Sequence, residues 1–161
     1  MLNKTTTTIL FTLINLLFSH AVLSENSSQR LDEILSLKQA PSGIIFEIVT
    51  GSEHSLKWAL PKAKEYIKKL RTVYPNIEIA IVTHGNEQFA LKKTNDKKYK
   101  KIHSLTQQLV QEENIPLHVC ATYAAMKNVG EEEFPDYVDV TAAGPATIND
   151  YIALGYLLIK L

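Results

Sequence analysis

Apolar residues recur along this chain in two alternating rhythms. Five short runs are apolar almost throughout and have strand length: 44–50 (IIFEIVT), 77–83 (IEIAIVT), 116–120 (PLHVC), 137–142 (YVDVTA) and 156–160 (YLLIK). Runs of this kind suit strands covered on both faces, as in a parallel sheet. Between them the spacing changes to three and four residues. Leu56, Ala59, Leu60, Ala63, Ile67 and Leu70 form one helical stripe, with Lys57, Lys62, Lys64 and Lys68 placed elsewhere on the helix. Glu53 or Ser55 is positioned to start that helix, and Tyr74–Pro75–Asn76 to close it. Pro61 fits only within about the first turn or at a kink.

The same logic predicts a third helix carrying Ile102, Leu105, Leu109 and Val110 as far as Asn114, with His103 on its surface. Residues 121–129 are helical in composition. The last helix opens at Gly144–Pro145 and runs through Leu154, where Gly155 is suited to end it. Leu31, Ile34, Leu35 and Leu37 mark a short helix ahead of the first strand, and residues 88–91 a helical turn. Residues 92–101 hold six lysines and read as a solvated loop or helix start, and Glu131–Glu132–Glu133 as a solvated acidic bend. Strand and helix alternating with short connections predict right-handed βαβ units. The expected fold class is α/β, a three-layer α/β/α sandwich around a mostly parallel five-stranded sheet.

The N-terminus follows neither rhythm. Lys4 precedes an apolar stretch from Ile9 to Leu23 that is too short to span a bilayer and is interrupted by Thr12, Asn15, Ser19 and His20. Small residues then stand where a signal peptidase cuts. The expected organisation is a signal peptide over 1–24, a lead-in segment over 25–42 and one domain over 43–161, periplasmic or secreted, with no membrane attachment after cleavage. Charge alters this picture little: lysine plus arginine equals aspartate plus glutamate at 17 each, and loss of Lys4 leaves 16 against 17, a net of −1. Nothing in that balance suggests a nucleic-acid partner.

One cysteine, Cys120, is present in the whole chain, so no intramolecular disulfide can form. The residue is then a buried small hydrophobe, a free reactive thiol, or half of an intermolecular bond. In parallel sheets functional groups gather beyond the carboxyl ends of the strands. That rim is expected to hold Gly51 and Ser52, then His84, Gly85 and Asn86, then Cys120 and Thr122, and finally Gly144. Cys120 would end the third strand just before a helix capped by Thr122, and a helix start favours a thiolate nucleophile. His84 could hydrogen-bond that thiolate or a ligand. His118 and Cys120 share a strand face and invite a metal with His54 or His84 completing it, but no CxxC or HxxxH supplies a ligand set, so no metal and no cofactor is expected. GxSxG, P-loop and GxGxxG patterns are absent.

In their order, IIFEIVTG, SLKWALPKAKEYIKKL, IEIAIVTHG, HVCATYAAMK and INDYIALGYLLIKL resemble the DsrE/DsrF-like sulfur-relay family, in its exported single-domain branch. The resemblance runs from Gly43 to Leu161. It implies a three-layer α/β/α domain, assembly into a homo-oligomer, and a persulfide carried on one cysteine after a strand and passed to a donor or acceptor protein. Cys120 stands at that cysteine's place. Exported members often read Cys-Gly-Asn-Thr there, whereas this chain reads Cys120–Ala121–Thr122–Tyr123. The other reading is a non-catalytic small-ligand-binding or assembly module with a structural cysteine.

Overall fold

A computed structural model describes residues 26–161 of the chain. The expected signal peptide lies outside the described residues. Five strands, β1 (Gly43–Ile48), β2 (Glu78–Thr83), β3 (Leu117–Cys120), β4 (Asp139–Thr141) and β5 (Tyr156–Lys160), form one sheet in the order β4-β3-β2-β1-β5. Every pairing is parallel, so the α/β sandwich expected from the alternation is the observed architecture.

Side-chain alternation divides the strands between two cores of unequal size. Ile44, Phe46, Ile48, Ile79, Ile81, Leu117 and Val119 enter the larger one. There they meet Leu60, Ala63 and Ile67 of α2 (Leu56–Val73), Ile102 of α3 (Lys100–Gln107), Leu31 and Ile34 of α1 (Ser27–Leu35), and Ala124 of α4 (Ala121–Met126). Ile45, Ala80 and Val82 face the other way and form a small core with Ile148 of α5 (Gly144–Ala153). Both cores are built from residues between Leu31 and Ile159. Right-handed crossovers account for the division. The chain steps from β1 to β4 with α2, α3 and α4 on the large-core side, and then returns through α5 across the opposite face to place β5 beside β1. Neighbouring β3 and β4 therefore send their following helices to opposite faces, which opens a crevice between their carboxyl ends.

Local signals set most boundaries. Asn26 caps α1 through a side chain that accepts from the Ser28 amide, and Ser52 does the same for His54 ahead of a 3-10 turn, Glu53–Ser55, that runs into α2. Pro61 lies inside α2 rather than in its first turn. Its ring nitrogen leaves the Lys57 carbonyl without the usual helical donor, on a side of the helix open to water. The Tyr74 hydroxyl donates to the carbonyls of Ile34 and Leu37 at 2.9 and 3.0 Å and so ties the end of α2 to α1. Gly155 takes φ of 87° between α5 and β5, the left-handed conformation that glycine adopts without strain. No helix among the described residues is long and apolar enough to cross a membrane.

Several expectations need correction. The third helix is not one α-helix to Asn114: α3 ends at Gln107, a π-helical turn occupies Gln108–Glu112, and Asn114 adopts φ of 55°. Strand β4 spans three residues rather than six, because the Val138 amide closes a turn on the Pro135 carbonyl before pairing begins. His103 is not on the surface. It is 4% exposed, with one ring nitrogen bonded to the Tyr137 hydroxyl and the other to the Ala90 carbonyl. Burial pushes the Tyr137 phenol pKa up to about 12.

Phe46 has no exposed surface and stands on β1, one strand in from the β5 edge, facing the large core. Phe46→Ala should cost about 3–5 kcal/mol through lost contacts and a residual cavity. Urea unfolding followed by circular dichroism checks this; a midpoint unmoved from wild type would mean that the large core does not hold the sheet.

Candidate functional site

The rim is organised by two residues that come just after β2. A 3-10 segment, Asn86–Leu91, follows Gly85, and both Glu87 and Gln88 in it are fully buried. One Glu87 carboxylate oxygen accepts from the Thr83 hydroxyl at 2.6 Å and the Gly85 amide at 2.7 Å. The other accepts from the Thr50 amide at 2.6 Å and the Thr50 hydroxyl at 3.0 Å. Four donors around one buried carboxylate bind the end of β1 to the end of β2, the arrangement a buried charge requires. Gly85 must be glycine for reasons of space: a Cβ there would stand 2.5 Å from both the Glu87 carboxylate and the Thr50 carbonyl oxygen.

Gln88 does for β3 what Glu87 does for β1. Its Oε1 accepts from the Cys120 amide at 2.8 Å, and its Nε2 donates to the Cys120 carbonyl at 3.3 Å. The backbone of the only cysteine is thus clamped by a buried amide. Cys120 itself, not Thr122, is the residue that caps α4: its Sγ accepts from the Tyr123 amide at 3.4 Å. Thr122 is exposed and crosses the crevice to β4, bonding the Ala142 carbonyl through its amide at 3.1 Å and its hydroxyl at 2.6 Å. Cys120 is 4% exposed, so the sulfur lies at a helix start but beneath the surface.

His84 belongs to a different set of contacts. Its Nε2 lies 2.9 Å from an oxygen of Glu47 on β1, and the other Glu47 oxygen pairs with Lys160 of β5 at 3.2 Å. Register explains this: Glu47 pairs with Lys160 on one side and with Val82, two residues before His84, on the other. The first turn of α5 presses on the imidazole, since a Cβ on Gly144 would lie 2.6 Å from the Cβ of His84. Extending the β2–β3 register one residue beyond Thr83 and Val119 sets His84 opposite Cys120, but the described hydrogen bond of His84 goes to Glu47.

His118 hydrogen-bonds the Tyr151 hydroxyl of α5 at 3.0 Å and lies 3.7 Å from Asp139. Burial holds its imidazole pKa below the ordinary value, with the nearby Asp139 opposing in part. Among the described residues no three His, Cys, Asp or Glu side chains are grouped as a metal ion would need.

Of the rim residues expected from sequence, Gly51, Ser52 and Asn86 line one open cavity of about 490 Å³, together with His54, Phe89 and Lys127 among others. The Asn86 side chain donates to the Gly51 carbonyl at 2.9 Å and accepts from the Tyr123 hydroxyl at 2.7 Å. Tyr123 stacks on Phe89 and lies under Lys127. Gly85, His84, Cys120, Thr122 and Gly144 stand on the same rim outside the lining of that cavity. Glu87, Gln88 and Glu47 escaped the sequence reading. The first two stand between a strand end and the apolar Phe89–Ala90–Leu91, and their partners at Thr50 and Cys120 lie 37 and 32 positions away.

Comparison with known proteins identifies the family and the fold. A model of the DsrE/DsrF-like family matches residues 44–161. No curated protein matches the sequence. Among solved structures, MTH1491 of Methanobacterium thermoautotrophicum, a protein of unknown function, superposes with a TM-score of 0.58 at 14% identity, covering 73% of this chain and 97% of its own. YchN of E. coli superposes with a TM-score of 0.51 at 13% identity, covering 74% and 99%. At such identities the two structures speak for the fold alone.

Two outcomes follow from the rim. Glu87→Gln places an amide donor against groups that all donate, and should lower stability by about 1–3 kcal/mol, measured by chemical denaturation; an unchanged midpoint would remove Glu87 as the tie between β1 and β2. The folded-state pKa of His118 is lowered, so its neutral form is favoured in the native protein. Its contribution to stability is therefore complete above about pH 6.5 and is lost as pH falls through the folded pKa. Thermal unfolding across pH 7.5 to 5 should show a steeper decline for wild type than for His118→Gln; parallel curves would exclude His118 as a contributor.

Proposed function

The chain belongs to the DsrE/DsrF-like family, and we propose that it carries sulfur as a persulfide on Cys120. The observation that supports this reading is the position of the sulfur: Cys120 caps α4, its Sγ receives the Tyr123 amide, and it ends β3 opposite Thr141, at the last pair of the β3–β4 ladder. The step balances without an added oxidant. The Cys120 thiolate attacks the terminal sulfane sulfur of a donor persulfide, a new S–S bond forms on Cys120, the donor's S–S bond breaks, and the donor leaves as a thiolate with the electron pair. Transfer onward repeats the exchange with an acceptor thiolate. The 4% exposure means that the reaction requires a local opening around Cys120; α4, which follows it, has only six residues, and residues 125–128 are exposed. His84, just after β2, and Glu47 of β1 form a hydrogen-bonded pair available to that opened state. The reading includes export, with residues 1–24 removed as a signal peptide, and assembly into a homo-oligomer.

A second reading draws on the cavity lined by Gly51, Ser52 and Asn86, which suits a small polar ligand with Cys120 left as a structural residue. One experiment separates the two. The folded protein is incubated with a sulfane donor and its intact mass read before and after, alongside a thiol titration at pH 7. A single added sulfur that Cys120→Ser abolishes is the expected result, and the same spectrum reads whether the leader has been removed. A thiol that reacts only after denaturation, with no added mass, would end the carrier reading and leave the ligand cavity in its place.

A further inference from the structure

The balanced total of 17 basic and 17 acidic residues conceals a strongly polarised surface. Pro61, exposed in the first half of α2, borders three adjoining grooves. Nine lysines and Arg71 line these grooves against three acids, Asp32, Glu65 and Glu113, with Glu53 and Asp96 at the border. The positive charge is densest in a groove of about 500 Å³ between α2 and the start of α3. Five lysines ring it, Lys57, Lys97, Lys98, Lys100 and Lys101, over a floor of Tyr99, Ile102 and Leu105. Lys57 and Lys98 lie over the Tyr99 ring, and Lys98 pairs with Glu53 at 3.2 Å. Lys97, Lys100 and Lys101 are exposed and make no ion pair among the described residues. On the other side of Pro61 stands Trp58, the only tryptophan of the chain, 48% exposed.

We propose that this face, the outer side of α2 with the lysine segment before α3, docks on an anionic lipid bilayer. Three features choose lipid over another polyanion. The charges are almost all lysine, compact ammonium ions suited to a diffuse layer of headgroups, where a nucleic acid or carboxylate partner is commonly gripped by planar arginine forks. The groove floor is apolar and the lysine stems extend it, so the ammonium groups reach headgroups while their methylenes rest on apolar surface. An exposed indole beside such charge sits favourably at the boundary between headgroup and acyl chain. The face lies on the opposite side of α2 from the sheet and adjoins the rim cavity at the start of α2, where Lys98 pairs with Glu53 and the Tyr99 hydroxyl lies 3.3 Å from His54.

Trp58 reports on this face directly, which makes the test independent of the apolar N-terminus of the full chain. Vesicles of phosphatidylcholine with 30% phosphatidylglycerol, carrying brominated acyl chains, should quench Trp58 emission and shift it to the blue. Each lysine near an anionic surface is worth roughly fivefold in partitioning, so Lys97→Ala, Lys100→Ala and Lys101→Ala combined should weaken binding about a hundredfold. These three side chains hold no part of the core, and circular dichroism of the triple variant confirms that the fold is kept. High salt should abolish the quenching. Unquenched Trp58 on anionic vesicles would overturn the proposal even if the chain sediments with them. So would equal quenching on pure phosphatidylcholine, or a Trp58 shift produced by polyglutamate or duplex DNA but not by vesicles.

Discussion

The carboxyl end of this sheet depends on one buried charge, the Glu87 carboxylate. A carboxylate with no exposed surface is tolerated only when its oxygens are filled with donors, and here four donors from Thr50, Thr83 and Gly85 fill them. The requirement runs in both directions. The charge needs the loops brought together, and the loops need the charge, because the Thr50 and Gly85 amides are left without ladder partners where β1 and β2 end. Gln88, the next residue, extends the constraint to β3 by holding both backbone groups of Cys120. Two adjacent side chains therefore set the relative positions of three strand ends, and with them the placement of the only cysteine.

The topology then decides which chemistry meets at that rim. Because α5 crosses the face opposite to α2 and α3, the β3–β4 crevice opens at Cys120, and the α5 start settles against His84. Gly144 permits that contact; a larger residue would push α5 away from the imidazole and, with it, from the small core around Ile148. His84, meanwhile, is occupied by Glu47, which Lys160 engages from the next strand. The pair couples β5, β1 and β2 on the face where the hydrophobic core is smaller, so polar contacts there supplement the packing of four buried residues with the half-buried Tyr151, Tyr156 and Leu158.

Much of this fold could be read from the chain. The runs IIFEIVT and IEIAIVT are buried on both faces because a parallel sheet with helices on each side buries them, so composition alone marked them as strands. Gly155 was legible because a left-handed residue between helix and strand favours glycine. His103 was not, since a polar residue is assigned to the wet side of a helix by default. Yet Tyr99, Ile102, His103, Thr106 and Leu109 recur at three- and four-residue spacing, and all are buried. The stripe was present and was obscured by the polarity of two of its members. Glu87 and Gln88 were hidden for a related reason: a buried polar residue acquires its role from partners 32 and 37 positions away, which no local pattern encodes. The N-cap of α4 fell two residues from its expected place because sulfur is a weak acceptor and is seldom considered for a cap.

Charge shows the same limit of one-dimensional reading in a sharper form. A zero total excludes a basic protein but says nothing about dipolar arrangement, which depends on how the helices turn their faces. In α2 the apolar stripe is fixed against the sheet by Leu56, Leu60, Ala63, Ile67 and Leu70, so its lysines are driven to the outer side whatever their individual preferences. The segment before α3 adds its lysines to the same side because Tyr99 is drawn into the core and carries its neighbours with it. Burial thus sorts charge as a by-product of packing. The acids that balance the total lie largely elsewhere, among them Glu47 and Glu87 at the strand ends and Glu131 to Glu133 in the bend before β4. The molecule consequently presents a cationic side along α2 and a rim that carries the cysteine, an imidazole and a buried carboxylate, and the two meet at the start of α2, where Lys98 pairs with Glu53 of the rim cavity.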